Sequence, residues 1–122
     1  MASKILVVDD SASVRMMVSN TLKAAGYLVE MAEDGQAALD ISEGKSFQAV
    51  ITDQNMPRLD GISFCKEFRS RPANRGVPVV FLSTESESAI KEKAKAAGAI
   101  GWIVKPFDQQ KLLSVVSRIV GS

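Results

Sequence analysis

Five short runs rich in valine and isoleucine, none with polar alternation, are separated by longer stretches whose apolar residues recur every three or four positions. The runs lie near residues 4–8, 28–31, 49–52, 78–82 and 101–104. A strand open to water on one side alternates apolar and polar residues, whereas a strand covered by helices on both faces does not. The pattern therefore predicts a parallel sheet between two helical layers. At 122 residues the chain forms one domain with a sizeable core and no need of staples. Right-handed crossovers leave few arrangements of five strand-helix units. The expected fold class is α/β, a doubly wound five-stranded parallel sheet flanked by five helices.

The helices carry their own punctuation. The first begins near Ser11 to Ser13, where a serine can cap it, and places Val14, Met17, Val18, Thr21, Leu22 and Ala25 on one face before Gly26 ends it. The second runs from about Asp34 to Glu43 and buries Ala37, Ala38 and Ile41. A third follows Pro57, turns Ile62, Phe64, Cys65 and Phe68 inward, and stops before Pro72. The fourth covers roughly Glu85 to Ala97, ending at Gly98, and the fifth Asp108 to Val120, with Leu112, Val115, Val116 and Ile119 inward. The last helix finishes at the chain end, so a single domain over residues 1–122, with no output domain, is expected.

Composition narrows the chemistry. The formal charge is +1 with acids and bases interspersed, which lacks the basic stripe of a nucleic-acid binder. The apolar stretches are too short to span a bilayer, and Met1-Ala2-Ser3-Lys4 leads straight into a strand pattern, so a cytoplasmic protein without membrane contact is expected. The one cysteine, Cys65, lies beside Phe64 in a helical pattern that also carries Phe68, and reads as core filler rather than a reactive thiol. No histidine occurs, which removes Ser-His-Asp and Cys-His triads, the usual zinc sites and a self-made phosphohistidine.

What remains is gathered at strand ends. Asp9 and Asp10 follow the first apolar run, Asp53 the third with Asn55 just beyond, Ser83 the fourth, and Lys105 the fifth. In an open parallel sheet, sites form outside the carboxyl ends of the strands. Taken singly, Asp10 could be a helix cap, Ser83 another, and Lys105 a surface lysine. A cap or surface role gives no reason for acids and an amine to converge there. Three carboxylates so close repel unless a cation or proton is present. Magnesium suits them, because it takes hard oxygen ligands, keeps several waters and prefers one or two carboxylates plus a phosphate. Asp10 and Asp53 can ligate directly, Asp9 through water, and the Asn55 backbone carbonyl can complete the set. The free oxygen of Asp53 can then attack phosphorus to give an acyl phosphate. Lys105 supplies a point charge, and Ser83 a hydroxyl, to the phosphoryl group.

The doublet Asp9-Asp10, the stretch Asp53-Gln54-Asn55-Met56-Pro57-Arg58-Leu59-Asp60-Gly61, the pair Ser83-Thr84 and the run Lys105-Pro106-Phe107 together resemble the signature of response-regulator receiver domains. The resemblance spans essentially the whole chain and is closest to the stand-alone chemotaxis regulators of the CheY type. It implies a flavodoxin-like strand order 2-1-3-4-5. Asp53 is then the phosphoacceptor, Asp9, Asp10, Asp53 and Asn55 the Mg2+ site, and Lys105 and Ser83 the phosphoryl-binding groups. The implied partners are a sensor histidine kinase like CheA and a downstream protein, met by a monomer through the face of the fourth helix, fifth strand and fifth helix. That face carries Lys91, Lys95, Trp102 and Lys111. A cis peptide before Pro106 is also implied.

Three positions depart from the family pattern. Ser83 replaces the common threonine but keeps the hydroxyl. Thr84 stands where alanine or glycine is common, and its bulk narrows access to phosphorus. Trp102 holds the place of a switch tyrosine or phenylalanine, and a ring that large has little room to swing inward; a partly buried packing residue is the competing reading. Two other classes use similar folds. A Mg2+-dependent phosphohydrolase would place an Asp-x-Asp nucleophile motif in the first strand under a cap domain, and a flavodoxin-like cofactor binder would need a Ser/Thr/Gly-rich phosphate loop where Asp9-Asp10 would repel phosphate. A phosphate sink or a regulator of another enzyme fits the same single domain.

Overall fold

A computed structural model describes residues 3–120; Met1 and Ala2, which open the expected lead into the first strand, lie outside the described residues, as do Gly121 and Ser122. Strand and helix alternate as β1 (Lys4–Val8), α1 (Ala12–Ala24), β2 (Leu28–Ala32), α2 (Gly35–Ser42), β3 (Ala49–Thr52), α3 (Gly61–Ser70), a single 3-10 turn (Pro72–Asn74), β4 (Val79–Ser83), α4 (Ser88–Ala96), β5 (Gly101–Val104) and α5 (Gln109–Ile119). The sheet is parallel in the order β2-β1-β3-β4-β5, the flavodoxin-like arrangement that the family resemblance implies.

The lack of polar alternation has the expected cause. Leu6, Val8, Val50, Val79 and Phe81 pack against α2, α3 and α4, while Ile5, Val7, Ala49, Ile51, Val80 and Leu82 pack against α1 and α5. Both faces of the central strands are therefore dry, and each of these valine, leucine, isoleucine and phenylalanine side chains contributes about 1.5–3 kcal/mol by leaving water. The order reverses between β1 and β3, whose register pairs Val8 with Thr52. Asp9 and Asp53, one residue further on each strand, leave the sheet side by side at this switch point.

Several boundaries differ from expectation for local reasons. Asp34, Asp60 and Asp108 are caps rather than helical residues, accepting from the N–H groups of Ala37, Ser63 and Gln110. An eight-residue loop, 53–60, thus precedes α3, which starts at Gly61 rather than just after Pro57. The fourth helix starts three residues late, at Ser88. On α1 the inward face holds Val18, Ser19, Thr21 and Leu22, whereas Met17 is 46% exposed and Ala25 lies at the C-cap in solvent. Leu39 is the buried anchor of α2 beside Ala38, with Ala37 and Ile41 only half-buried. Phe64, Cys65 and Phe68 are fully buried as expected.

Candidate functional site

The acidic groups meet at the carboxyl ends of β1 and β3. One carboxylate oxygen each from Asp9, Asp10 and Asp53 lies within 4.8 Å of the others. Asp9 and Asp53 are buried, at 2% and 8% exposure, and Asp10 is exposed. Each buried carboxylate is fixed at two points. Asp9 accepts from the Ser11 N–H through Oδ1 (2.9 Å) and from the Lys105 ammonium through Oδ2 (2.7 Å). Asp53 accepts from the Gln54 N–H through Oδ1 (2.7 Å) and from Lys105 through Oδ2 (3.2 Å).

Lys105 therefore stands between the two buried acids. It reaches them from the end of β5, next to a cis Lys105-Pro106 bond, with its own N–H bonded to the Ser83 carbonyl (2.9 Å). Burial by itself would lower its pKa, but contacts with Asp9 and then Asp53 outweigh that and hold it above the ordinary lysine value. For Asp9 burial dominates, and it pushes the carboxyl up despite the hydrogen bond from Lys105. One ammonium facing three carboxylates leaves the pocket short of positive charge, and a divalent cation supplies what is missing. The donors are hard oxygens and too few to close a coordination sphere, so positions remain for water and a phosphoryl oxygen. That set fits Mg2+.

The remaining candidates sit around this centre. Asn55 is exposed near the start of the 53–60 loop. Ser83 is fully buried at the end of β4, and its Oγ accepts from the Glu85 N–H (3.2 Å). Thr84 beside it is exposed. Trp102 is half-buried and stacked on Phe81, with ring centroids 5.0 Å apart and planes 1° from parallel. Its indole N–H donates to the Glu85 carbonyl (2.7 Å). Glu85 thereby bridges Ser83 to Trp102, a link that spacing in sequence does not reveal. Cys65, its thiol pushed up to about 11 by burial, is core filler as expected.

Three contributors escaped the sequence reading. Gln54 is buried and receives the Ile62 N–H on Oε1 (2.8 Å), closing the base of the loop that follows Asp53. Arg15 donates to the Asp9 carbonyl (2.7 Å). Arg58, with φ 65°, pairs with Asp34. Only the positive φ, a conformation glycine favours, marks Arg58 as unusual, and it is visible only in the backbone.

The response regulator receiver domain profile matches residues 5–117. Chemotaxis response regulator CheY4 of Vibrio cholerae is 43% identical and superimposes with a TM-score of 0.93 over 98% of this chain and 99% of that one. The receiver domain of a sensor histidine kinase from Pseudomonas aeruginosa PAO1, solved with a magnesium ion coordinated in its active-site cleft, is 29% identical, with a TM-score of 0.91 and full coverage of both (100% and 100%). Response regulator MprA of Mycolicibacterium vanbaalenii is 37% identical over 114 residues, 93% of this chain and 48% of that protein. The chain thus spans about half the length of the curated relatives it matches. Receiver domains accept phosphoryl groups, bind Mg2+ in an acidic pocket and work between a histidine kinase and a downstream target, and by fold, profile and pocket this chain belongs to the response regulator receiver domain family.

Proposed function

We propose that Asp53 accepts a phosphoryl group from a phosphohistidine on a CheA-like sensor kinase, and that this 122-residue chain acts alone, as a cytoplasmic monomer in chemotaxis signalling. The observation that carries the reading is the Lys105 ammonium set between the carboxylates of Asp9 (2.7 Å) and Asp53 (3.2 Å) beside Asp10. Mg2+ would be held by Asp10 and Asp53, by Asp9 through water and by the Asn55 backbone carbonyl, and it supplies charge neutralisation at the transferring phosphoryl group. An Asp53 oxygen forms the new bond to phosphorus as the bond to the donor's imidazole nitrogen breaks. Lys105 transfers its contact from Asp53 Oδ2 to a phosphoryl oxygen. Ser83 keeps its proton to donate, because its Oγ is the acceptor for the Glu85 N–H. The chain is not an enzyme in the sense of turning over a separate substrate; it promotes only its own phosphotransfer and dephosphorylation.

The output follows from the same contacts. Hydrogen bonds to charged groups contribute roughly 1.5–3 kcal/mol each, so Ser83 and Lys105 together supply about 3–6. Inverting a 1:99 equilibrium needs about 5.5. Movement of Ser83 toward phosphorus pulls on Glu85 and, through its carbonyl, on Trp102. Trp102 borders a hollow of about 420 Å3 shared with Lys91, Lys95 and the exposed Ile100. With Lys111 nearby on α5, this apolar and basic face suits an acidic amphipathic segment of the target. The 43% identity to CheY4, against 37% to MprA, supports the chemotaxis reading; a phosphate sink or a regulator of another enzyme uses the same site. Intact-mass measurement after incubation with acetyl phosphate and Mg2+ is expected to show one phosphoryl adduct, lost in Asp53→Asn. An adduct that survives that substitution, or none in the wild type, would refute the assignment.

A further inference from the structure

The loop that carries Asn55 is anchored at both ends, and its far anchor is an ion pair with unusual features. At the base, the Gln54 carbonyl receives the Gly61 N–H (2.9 Å) and the Gln54 amide oxygen the Ile62 N–H (2.8 Å). At the tip, Arg58 grips Asp34 with two parallel bonds, Nε to Oδ2 (2.8 Å) and an Nη to Oδ1 (3.0 Å), while the Gly35 N–H donates to the Leu59 carbonyl (3.1 Å). Asp34 is itself held from the other side: it is 3% exposed and caps α2 by accepting the Ala37 N–H (2.8 Å). Exposed ion pairs usually contribute little, but a forked guanidinium on a buried, preset carboxylate is the geometry that does contribute. Arg58 also holds φ 65°, a conformation that persists in a non-glycine residue only where its surroundings dictate it.

Arg58, Asp10 and Glu33 border one hollow of about 290 Å3. A guanidinium on that hollow, even one paired with Asp34, does nothing to attract a cation to Asp10, so electrostatics by itself gives Arg58 no favourable role at the metal site. We propose that Arg58 is a positioning residue, whose grip on Asp34 fixes the loop carrying Asn55 and so strengthens divalent-cation binding at Asp9, Asp10 and Asp53 despite its own charge. This rests on the reading of the acidic cluster as a Mg2+ site. Groups outside the ligand shell that orient it commonly change metal affinity 10- to 100-fold.

Only positioning predicts weaker binding when Arg58 is removed, which makes the test sharp. Arg58→Gly removes the charge and the fork while suiting the positive φ; because it also leaves Asp34 without its partner, thermal unfolding run beside the titration establishes that the variant is folded. Calorimetric titration with MgCl2 is expected to show binding roughly tenfold weaker than wild type. Arg58→Lys restores charge without the fork and is expected to remain weak. Asp34→Asn keeps a capping oxygen but loses the ion pair, and combined with Arg58→Gly it should weaken Mg2+ no further than Arg58→Gly does. Equal or tighter Mg2+ binding by Arg58→Gly, full recovery in Arg58→Lys, or an additive double variant would overturn the positioning role. A wild-type protein that gives no Mg2+ isotherm would instead overturn the metal reading on which the proposal stands.

Discussion

Lys105 does at least two jobs with one amine, because it is the only cation in contact with two buried carboxylates among the described residues. Removing one partner from a buried ion pair typically costs about 3 kcal/mol or more, since the remaining charge is left dry and unpaired. Lys105→Met is therefore expected to lower the unfolding free energy by about 3 kcal/mol in chelator, with part regained in excess Mg2+, as followed by urea denaturation. Asp34 obeys a different logic. The hydrogen bond from Arg58, more than any other contact, holds its carboxyl below the ordinary aspartate range. The folded state thus binds the Asp34 proton less readily than the unfolded state, so the stabilisation is present above the unfolded pKa and fades as pH falls through the folded one. The stability gap between wild type and Asp34→Asn should be flat near neutrality and shrink below about pH 4. None of this pairing was legible in the chain: Asp34 and Arg58 lie 24 positions apart, and nothing about either residue alone singles it out.

At the scale of elements, glycine at the start of α3 shows how closely helix and site are joined. A Cβ on Gly61 would stand 2.2 Å from the Asp53 carbonyl oxygen and 2.8 Å from the Phe81 ring. Gly61→Ala is expected to cost about 1–3 kcal/mol through overpacking, although alanine is the better helix former. Gly76→Ala, in the turn before β4 with nothing within 4 Å of its new methyl, should leave stability nearly unchanged, so thermal unfolding of the two variants contrasts a crowded glycine with an open one. Helix existence followed from apolar periodicity, as Ile62, Cys65 and Phe68 on α3 show. Helix starts did not, because they depend on which aspartate accepts from which N–H. Asp60 wins that competition for α3 and leaves Pro57, Arg58 and Leu59 in the loop.

For the molecule as a whole, two apolar layers share one sheet, so neither layer survives without the strands that also hold the other. Unfolding is expected to be a single transition, with Trp102 fluorescence and far-ultraviolet circular dichroism giving the same midpoint. A ligand that binds only the folded state shifts that midpoint by mass action, about 2.7 kcal/mol at a hundredfold excess over Kd. Beryllofluoride with Mg2+ should produce such a shift in the wild type, and the beryllofluoride increment should vanish in Asp53→Asn. The alternation of strands and helices along the chain, and the placing of Asp9, Asp10, Asp53, Ser83 and Lys105 at strand ends, were determined by the amino-acid sequence alone, whereas the β1–β3 adjacency that sets Asp9 beside Asp53 was implied only by the family resemblance. Hydrophobic periodicity and the rule that parallel sheets carry their sites at strand ends act on local pattern, which a single chain displays in full. The Ser83-Glu85-Trp102 link, the exposure of Met17 and the Arg58-Asp34 clamp were decided only by tertiary structure. Each depends on which side chain reaches a backbone or carboxylate group on a separate element, and that distance exists only once the elements have packed.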